Sequence, residues 1–221
     1  MSGPKHLLTA FVRRHFVAGL VVAAAALVDA AAAAPPDTLL SAVDRQDIAR
    51  IETYFNAIET MRSRFLQVTS TGAYSEGTFS LWRPGRMRIE YDPPVPILIV
   101  ATGRSLVYHD KKLMQVSYLG IDSSPAGLLL AERVSLSDTV TVTRFERAAQ
   151  TLRVTVVKKG DPGEGSLTLI FGDRPLTFKK WVIADAQGVE TTVSLLGPRF
   201  GAPLDPELFR FVDPTQFKTD D

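Results

Sequence analysis

The 221-residue chain contains no cysteine. That absence excludes disulfides, thiolate-bound zinc, iron–sulfur clusters and a thiol nucleophile. It also excludes a lipid-modified N-terminal cysteine. Charge of one sign is lacking as well: 25 Lys and Arg stand against 24 Asp and Glu. Residues 1–34 hold Lys5, Arg13 and Arg14 against Asp29 alone, which leaves residues 35–221 with 22 basic and 23 acidic side chains, a formal charge of −1. Nucleic-acid binders concentrate Lys and Arg against phosphates, and this chain does not, so no nucleic-acid partner is expected. Of three histidines only His109 lies beyond residue 34. G-x-S-x-G and H-E-x-x-H are both missing. The glycine-rich stretch Gly160-Asp-Pro-Gly-Glu-Gly165 lies between strand-like segments and lacks the P-loop lysine, so it reads as a loop. Glu76, Glu90, Asp92 and Asp122 have no diagnostic spacing. No cofactor, metal site or catalytic residue is expected, and the chain reads as a non-enzyme.

Long apolar runs are also scarce. The longest, Phe16 to Val28, has 13 residues and ends at Asp29, against the ~20 needed to span a bilayer. It follows Lys5, Arg13 and Arg14 and precedes the small residues Ala30 to Ala34. A basic start, a short apolar run and A-x-A spacing describe a cleavable secretory signal over 1–34, cut after Ala33 or Ala34. Arg13-Arg14-His15-Phe16 is a loose twin-arginine pattern, equally well explained as an ordinary basic start. Residues 35–221 are then one domain, a monomer outside the cytoplasm.

Leu39 to Met61 carries Ile48, Ile51, Phe55 and Ile58 at helical spacing, with Asp44 or Asp47 as candidate caps. After Arg62 the pattern becomes one of short strands, near 63–70, 74–82, 86–91, 96–102, 105–110, 113–118, 139–147, 151–159, 166–172, 176–184 and 189–196, with a last one near 208–212. The breaks between them are too short for crossover helices, so the sheet is antiparallel. About eleven strands must curl into a barrel, half-barrel or sandwich to bury a face. Phe79 and Leu81 alternate with Ser80 and Trp82, and Met87, Ile89 and Tyr91 alternate with Arg86, Arg88 and Glu90. One face is therefore wet and one apolar. Ser124, Pro125 and Leu128-Leu129-Leu130 describe a short capped helix over 124–131. The two helices can lie across the open side of the sheet.

The order Phe65-Leu-Gln67, Ser75-Glu-Gly77, Leu81-Trp-Arg-Pro84, Arg88-Ile-Glu-Tyr91, Val107-Tyr-His-Asp110, Leu113-Met-Gln-Val116 and Pro125-Ala-Gly-Leu-Leu-Leu130 resembles the periplasmic outer-membrane lipoprotein carriers, the LolA-like proteins, over about residues 45–215. The resemblance implies an unclosed antiparallel β-barrel with a helical lid, mainly β within the α+β class. It implies a carrier that takes triacylated lipoproteins from an inner-membrane ABC transporter and passes them to an outer-membrane acceptor lipoprotein. Lacking cysteine, the chain fits the soluble carrier and not that acceptor. The resemblance also implies that Arg83, before Pro84, hydrogen-bonds to lid backbone and holds the empty cavity closed. Met87 and Trp82 are candidates at the cavity mouth. Phe65, Phe79, Leu81, Ile89, Leu98 and Val100 from the strands, with Leu128, Leu129 and Leu130 from the lid, are candidates to line it. Other readings are a periplasmic lipid sensor or a carrier of another lipid on the same fold, and an esterase using His109. Lys111, Lys112, Arg86 and Arg88 could form a basic rim or simply a solvated face.

Overall fold

A computed structural model describes residues 40–121 and 126–215. The expected signal over 1–34, the start of the expected first helix, and Asp122, Ser124 and Pro125 lie outside the described residues.

Helix α1 runs over Ala42–Asn56. Its cap is Ser41, not Asp44 or Asp47. The Ser41 hydroxyl accepts from the Asp44 amide at 3.1 Å, and the Asp44 carboxylate accepts from the Ser41 amide at 2.8 Å. This reciprocal box satisfies two amides that the helix leaves without partners. The helix stops at Asn56, five residues before the expected Met61. Apolar spacing continues through Ile58 and Met61, but Met61 is claimed by strand pairing with Leu81 and Phe200.

Eleven strands follow: β1 Thr60–Thr69, β2 Tyr74–Trp82, β3 Arg86–Tyr91, β4 Ile97–Thr102, β5 Ser105–Asp110, β6 Gln115–Gly120, β7 Val140–Ala148, β8 Thr151–Lys158, β9 Gly165–Gly172, β10 Thr177–Asp185 and β11 Glu190–Phe200. Helix α2, Ala126–Leu130, sits between β6 and β7. The strands form one antiparallel sheet in the order β6-β5-β4-β3-β2-β1-β11-β10-β9-β8-β7. Two meanders, β1–β6 and β7–β11, join where β1 pairs with β11. The sheet is not closed, since β6 and β7 are its two edges. The expected strand near 208–212 is instead a 3-10 turn over Pro206–Phe209, started by Pro206 and capped by the Asp205 carboxylate accepting from the Glu207 amide. Strand β6 begins two residues later than expected. Asp110 accepts from the amides of Lys112 and Leu113 and folds 111–114 into a turn.

The register places apolar side chains in rows across one face. Met61, Leu81, Met87, Ala101, Leu106 and Leu119 face one another across β1 to β6. Val193, Trp181, Leu169, Val154 and Phe145 do the same across β11 to β7. Both rows belong to one core, which α1 completes with Ile51 and Phe55 and the α2 region with Leu128 to Leu130, Val134 and Leu136. A sheet whose two halves share one core must be curved, with the helices on its concave side.

Gly77 shows how closely the layers approach. A Cβ there would sit 2.2 Å from the Glu90 carbonyl oxygen and 2.7 Å from the Phe65 ring. Only glycine lets Phe65 lie over β2 and meet Tyr91 edge-on at 5.2 Å.

Candidate functional site

The concave side of the sheet is filled rather than hollow. Ile51, Phe55, Leu128, Leu129, Leu130, Val134 and Leu136 are all buried against the strands. The plug therefore comes from segments outside the sheet. The wall beneath is mainly apolar, with the charge of Arg147 of β7 turned to the same side. Its polar groups include the Tyr91 hydroxyl, which donates to the Gln67 side-chain oxygen Oε1 at 2.7 Å. Burial, then the neighbouring Tyr108, pushes Tyr91 up to about 12, so it stays neutral.

Arg83 occupies the junction of the two helices. Its side chain is 9% exposed. Nε and Nη2 donate to the Ala131 carbonyl at 3.2 and 2.7 Å. Nη2 also reaches the Glu132 carbonyl and the Asn56 side-chain oxygen, each at 3.3 Å. Nη1 donates to the carbonyls of Phe55 and of Ile58. These acceptors include the Phe55 carbonyl in the last turn of α1, where the helix dipole is negative; that carbonyl also accepts from the Ile58 amide. A planar fork of five donors can satisfy them together, which an ammonium group cannot. Burial pushes the guanidinium pKa down, and no carboxylate is among its hydrogen-bond partners. The charge is held by neutral dipoles.

Three further groups fasten the segment after α2. The Asn56 amide donates to the Val134 carbonyl at 3.0 Å, and its oxygen accepts from the Val134 amide at 2.8 Å. The Glu52 carboxylate accepts from the Leu136 amide at 2.6 Å. The Gly85 amide donates to the Leu130 carbonyl at 2.9 Å. Sequence reasoning passed over Asn56 and read Glu52 only as a charge near the positive end of the helix dipole. A carboxamide or carboxylate on a helix carries no sign that its partner is the backbone of a segment 78 or 84 residues away.

The N-terminal half of α1 is held differently. Arg147 of β7 reaches Asp44 at 2.5 Å and Asp47 at 2.7 Å. Arg50 bridges Asp47 at 2.5 Å and Asp173 at 3.0 Å. Burial pushes the Asp47 carboxyl up, but the hydrogen bonds from Arg147 and Arg50 outweigh it and hold it below the usual range. In the last turn of α1, the Tyr54 hydroxyl accepts from the Phe178 amide at 3.1 Å.

Phe65, Phe79, Leu81 and Ile89 face the concave side, as do Leu128, Leu129 and Leu130. Leu98 and Val100 do not. They pair with Glu90 and Arg88, so they share the convex face with those side chains, while Ile99 faces the core. The sequence reasoning failed because β4 is apolar on both faces. Its convex side, like that of β3, is covered by the 3-10 turn, and Phe211 covers the neighbouring β5 and β6, its ring meeting His109 at 5.5 Å and Tyr118 at 6.5 Å. Trp82 is also on the convex side, against Phe209 at 5.9 Å and under Arg86. Met87 is 3% exposed within the core. Met87 and Trp82 thus lie on opposite faces and flank no common opening.

His109 and Asp110 are strand neighbours and point to opposite faces. Asp110 caps the turn after β5. The four carboxylates without diagnostic spacing are structural where described: Glu76 and Asp92 meet Arg64, and Glu90 meets Arg88 and Lys111. Of the suggested basic rim, Arg88 and Lys111 share the single carboxylate of Glu90, and Arg86 lies over the Trp82 ring. No cluster of three metal-ligating side chains occurs among the described residues.

The family model described as "Outer membrane lipoprotein carrier protein LolA" matches residues 56–212. An "Outer-membrane lipoprotein carrier protein" from Methylococcus capsulatus is 29% identical over 177 residues, covering 75% of this chain and 83% of that relative. A protein of the same description from Pseudomonas fluorescens is 26% identical over 188 residues, covering 79% and 87%. A third, from Chromobacterium violaceum, is 29% identical over 175 residues, covering 76% and 84%.

Proposed function

The chain belongs to the outer-membrane lipoprotein carrier (LolA) family, and from that premise we propose that it is a periplasmic carrier of lipoproteins. Its cargo is a triacylated lipoprotein whose acyl chains take the place now filled by the helices. It receives cargo from an inner-membrane ABC transporter and delivers it to an outer-membrane acceptor lipoprotein. The carrier itself performs no covalent chemistry.

Magnitudes support exchange rather than simple filling. Burying a Leu or Val side chain contributes about 2 kcal/mol. Withdrawing Leu128, Leu129, Leu130, Val134 and Leu136 from the wall therefore costs on the order of 10 kcal/mol. An acyl chain of about fifteen methylenes gains roughly 12 kcal/mol on burial, so three chains gain on the order of 35 kcal/mol. Cargo can therefore displace the plug, and the plug's return offsets only part of the cost of release, the rest coming from an acceptor that buries the chains as well. A cavity standing empty would lack even that return.

The observation that carries this reading is Arg83. One buried guanidinium binds the ends of both helices through neutral oxygens only, so its own bonds break without stranding a carboxylate. We assign Arg83 the role of latch for the cargo-free state. The test uses spheroplasts loaded with labelled lipoprotein, to which purified protein lacking residues 1–34 is added. The wild type is expected to release label into the soluble fraction and pass it to outer-membrane vesicles. Arg83→Leu is expected to accept as much label and deliver it poorly, since the closed state no longer helps expel cargo. No release by the wild type overturns the carrier reading; normal delivery by Arg83→Leu overturns only the latch.

A further inference from the structure

On the convex face, where β1 meets β11, the pairing register slips. Between Arg62 and Arg64 one residue of β1 faces two of β11, and Gly197 takes up the bulge at φ 63°. The bulge opens a cleft of about 390 Å³ lined by Arg62, Ser63, Arg64, Thr78, Leu196, Gly197 and Arg199. Arg62 and Arg199 are directly opposite each other across the two strands, and both are exposed. Like charges in that relation oppose strand pairing. Neither arginine is in an ion pair with a carboxylate among the described residues, whereas Arg64 beside them is engaged by Asp92 and Glu76. Leu196 adds an exposed apolar surface to the cleft. The fold thus keeps a repulsive pair on its most contacted strand junction, in a concave place, with donors free.

We propose that this cleft docks an acidic segment of a partner protein, taking a carboxylate between Arg62 and Arg199 with an apolar neighbour on Leu196. Paired guanidinium forks suit a carboxylate's two oxygens. A membrane surface is the weaker fit. Electrostatic attachment to anionic lipid takes clusters of about four to eight basic side chains, and here two free arginines stand on a chain whose residues 35–221 sum to −1. The site lies on the face away from the helices, so it stays accessible whether or not the concave side is occupied. It does not depend on the carrier reading.

The test uses residues 35–221, no cargo, and a short fluorescein-labelled peptide alternating Glu and Leu, followed by anisotropy. Wild type is expected to bind at low ionic strength, with affinity falling as salt rises. Arg62→Ser with Arg199→Ser is expected to weaken binding about tenfold or more. The charge-matched pair Arg104→Ser with Arg153→Ser, on exposed positions elsewhere, is expected to bind as wild type does. Relief of the like-charge pair should leave the melting temperature of the first variant unchanged or raise it by about 1–3 °C. Equal losses in the two variants would mean diffuse electrostatics and overturn the site. So would an Arg62/Arg199-dependent attachment to phosphatidylglycerol vesicles without peptide binding, or an Arg62/Arg199-dependent dimer in sedimentation that leaves the peptide unbound. A fall of several degrees in the variant's melting temperature, with peptide affinity intact, would assign the arginines to the fold instead.

Discussion

Asn56→Ala isolates the polar clamp on the lid from its apolar packing. The side chain makes two hydrogen bonds to the backbone of Val134, at 3.0 and 2.8 Å, and one with Arg83 at 3.3 Å. Val134 is 1% exposed. Truncation therefore leaves a buried amide and a buried carbonyl without these partners. Each such loss costs roughly 1–3 kcal/mol, reduced here because a loosened segment lets water in, so about 2–3 kcal/mol in all. If that cost falls on the closed lid alone, its opening becomes roughly 30- to 150-fold more frequent. Hydrogen exchange under conditions of rapid reclosing reads this directly. The amides of Val134 and Leu136 should accelerate by that factor, while those of Val154 and Leu169 in β8 and β9 should hardly change. Equal acceleration throughout would show that Asn56 supports the whole domain. An effect under about threefold at Val134 would show that apolar packing alone keeps the segment down.

Other perturbations address other parts of the fold. Gly77→Ala should destabilise by about 3 kcal/mol or more in denaturant unfolding, because its Cβ would lie 2.2 Å from the Glu90 carbonyl oxygen; near-neutral behaviour would refute the close approach of β2 to β3 and Phe65. Asp47→Asn should cost roughly 1 kcal/mol at neutral pH. Because Asp47 is held below its ordinary value, that contribution is present above the unfolded pKa near ~3.9 and fades as pH falls through the folded one. Melting curves of wild type and Asp47→Asn should therefore converge in acid, and a constant gap would refute the ion-pair account. Phe209→Ala should cost about 3 kcal/mol and shift Trp82 emission to the red in a Trp181→Phe background, since Phe209 covers Trp82 on the convex face; unchanged emission would contradict that cover.

The strands of the first meander were legible because their two faces meet different surroundings. In β3, Met87, Ile89 and Tyr91 alternate with Arg86, Arg88 and Glu90, and the register keeps that parity from β1 across to β6. Parity failed at β4, where Leu98 and Val100 are as apolar as Ile97 and Ile99. Alternation carries no information in a strand buried on both sides. What covers the convex side comes from Phe209 and Phe211, about 110 residues later in the chain, and reads locally as a strand. The end of α1 was misplaced for a related reason. Ile58 and Met61 continue the helical spacing, and only pairing with β2 and β11 takes Met61 out of it. Arg83 was singled out by the family resemblance, as the arginine before Pro84. The oxygens it binds were not, because backbone carbonyls at helix ends leave no trace in residue type.

The two ends of α1 are fastened by different chemistry, and that difference separates anchoring from release. Near its N-terminus, carboxylates of Asp44 and Asp47 meet Arg147 and Arg50, which tie the helix to β7 and to Asp173 after β9. At its C-terminus, the residues that touch the α2 segment include Arg83, Asn56 and Glu52, and four of the acceptors of Arg83 are backbone carbonyls that do not titrate. Acid therefore weakens the anchor before it touches the Arg83 contacts. Raised salt screens the partly exposed arginine–carboxylate pairs and leaves bonds to buried carbonyls nearly unaltered. An opening driven by charge would have its sensitivity where α1 meets the sheet. An opening driven by apolar exchange would have it where Leu128 to Leu136 leave the wall, with a rate set by hydrocarbon, by the bonds of Arg83 and Asn56 to neutral groups, and by the one carboxylate bond from Glu52 to the Leu136 amide. The arrangement around Arg83 has the second form, which is the form a ligand without charge at its buried end requires.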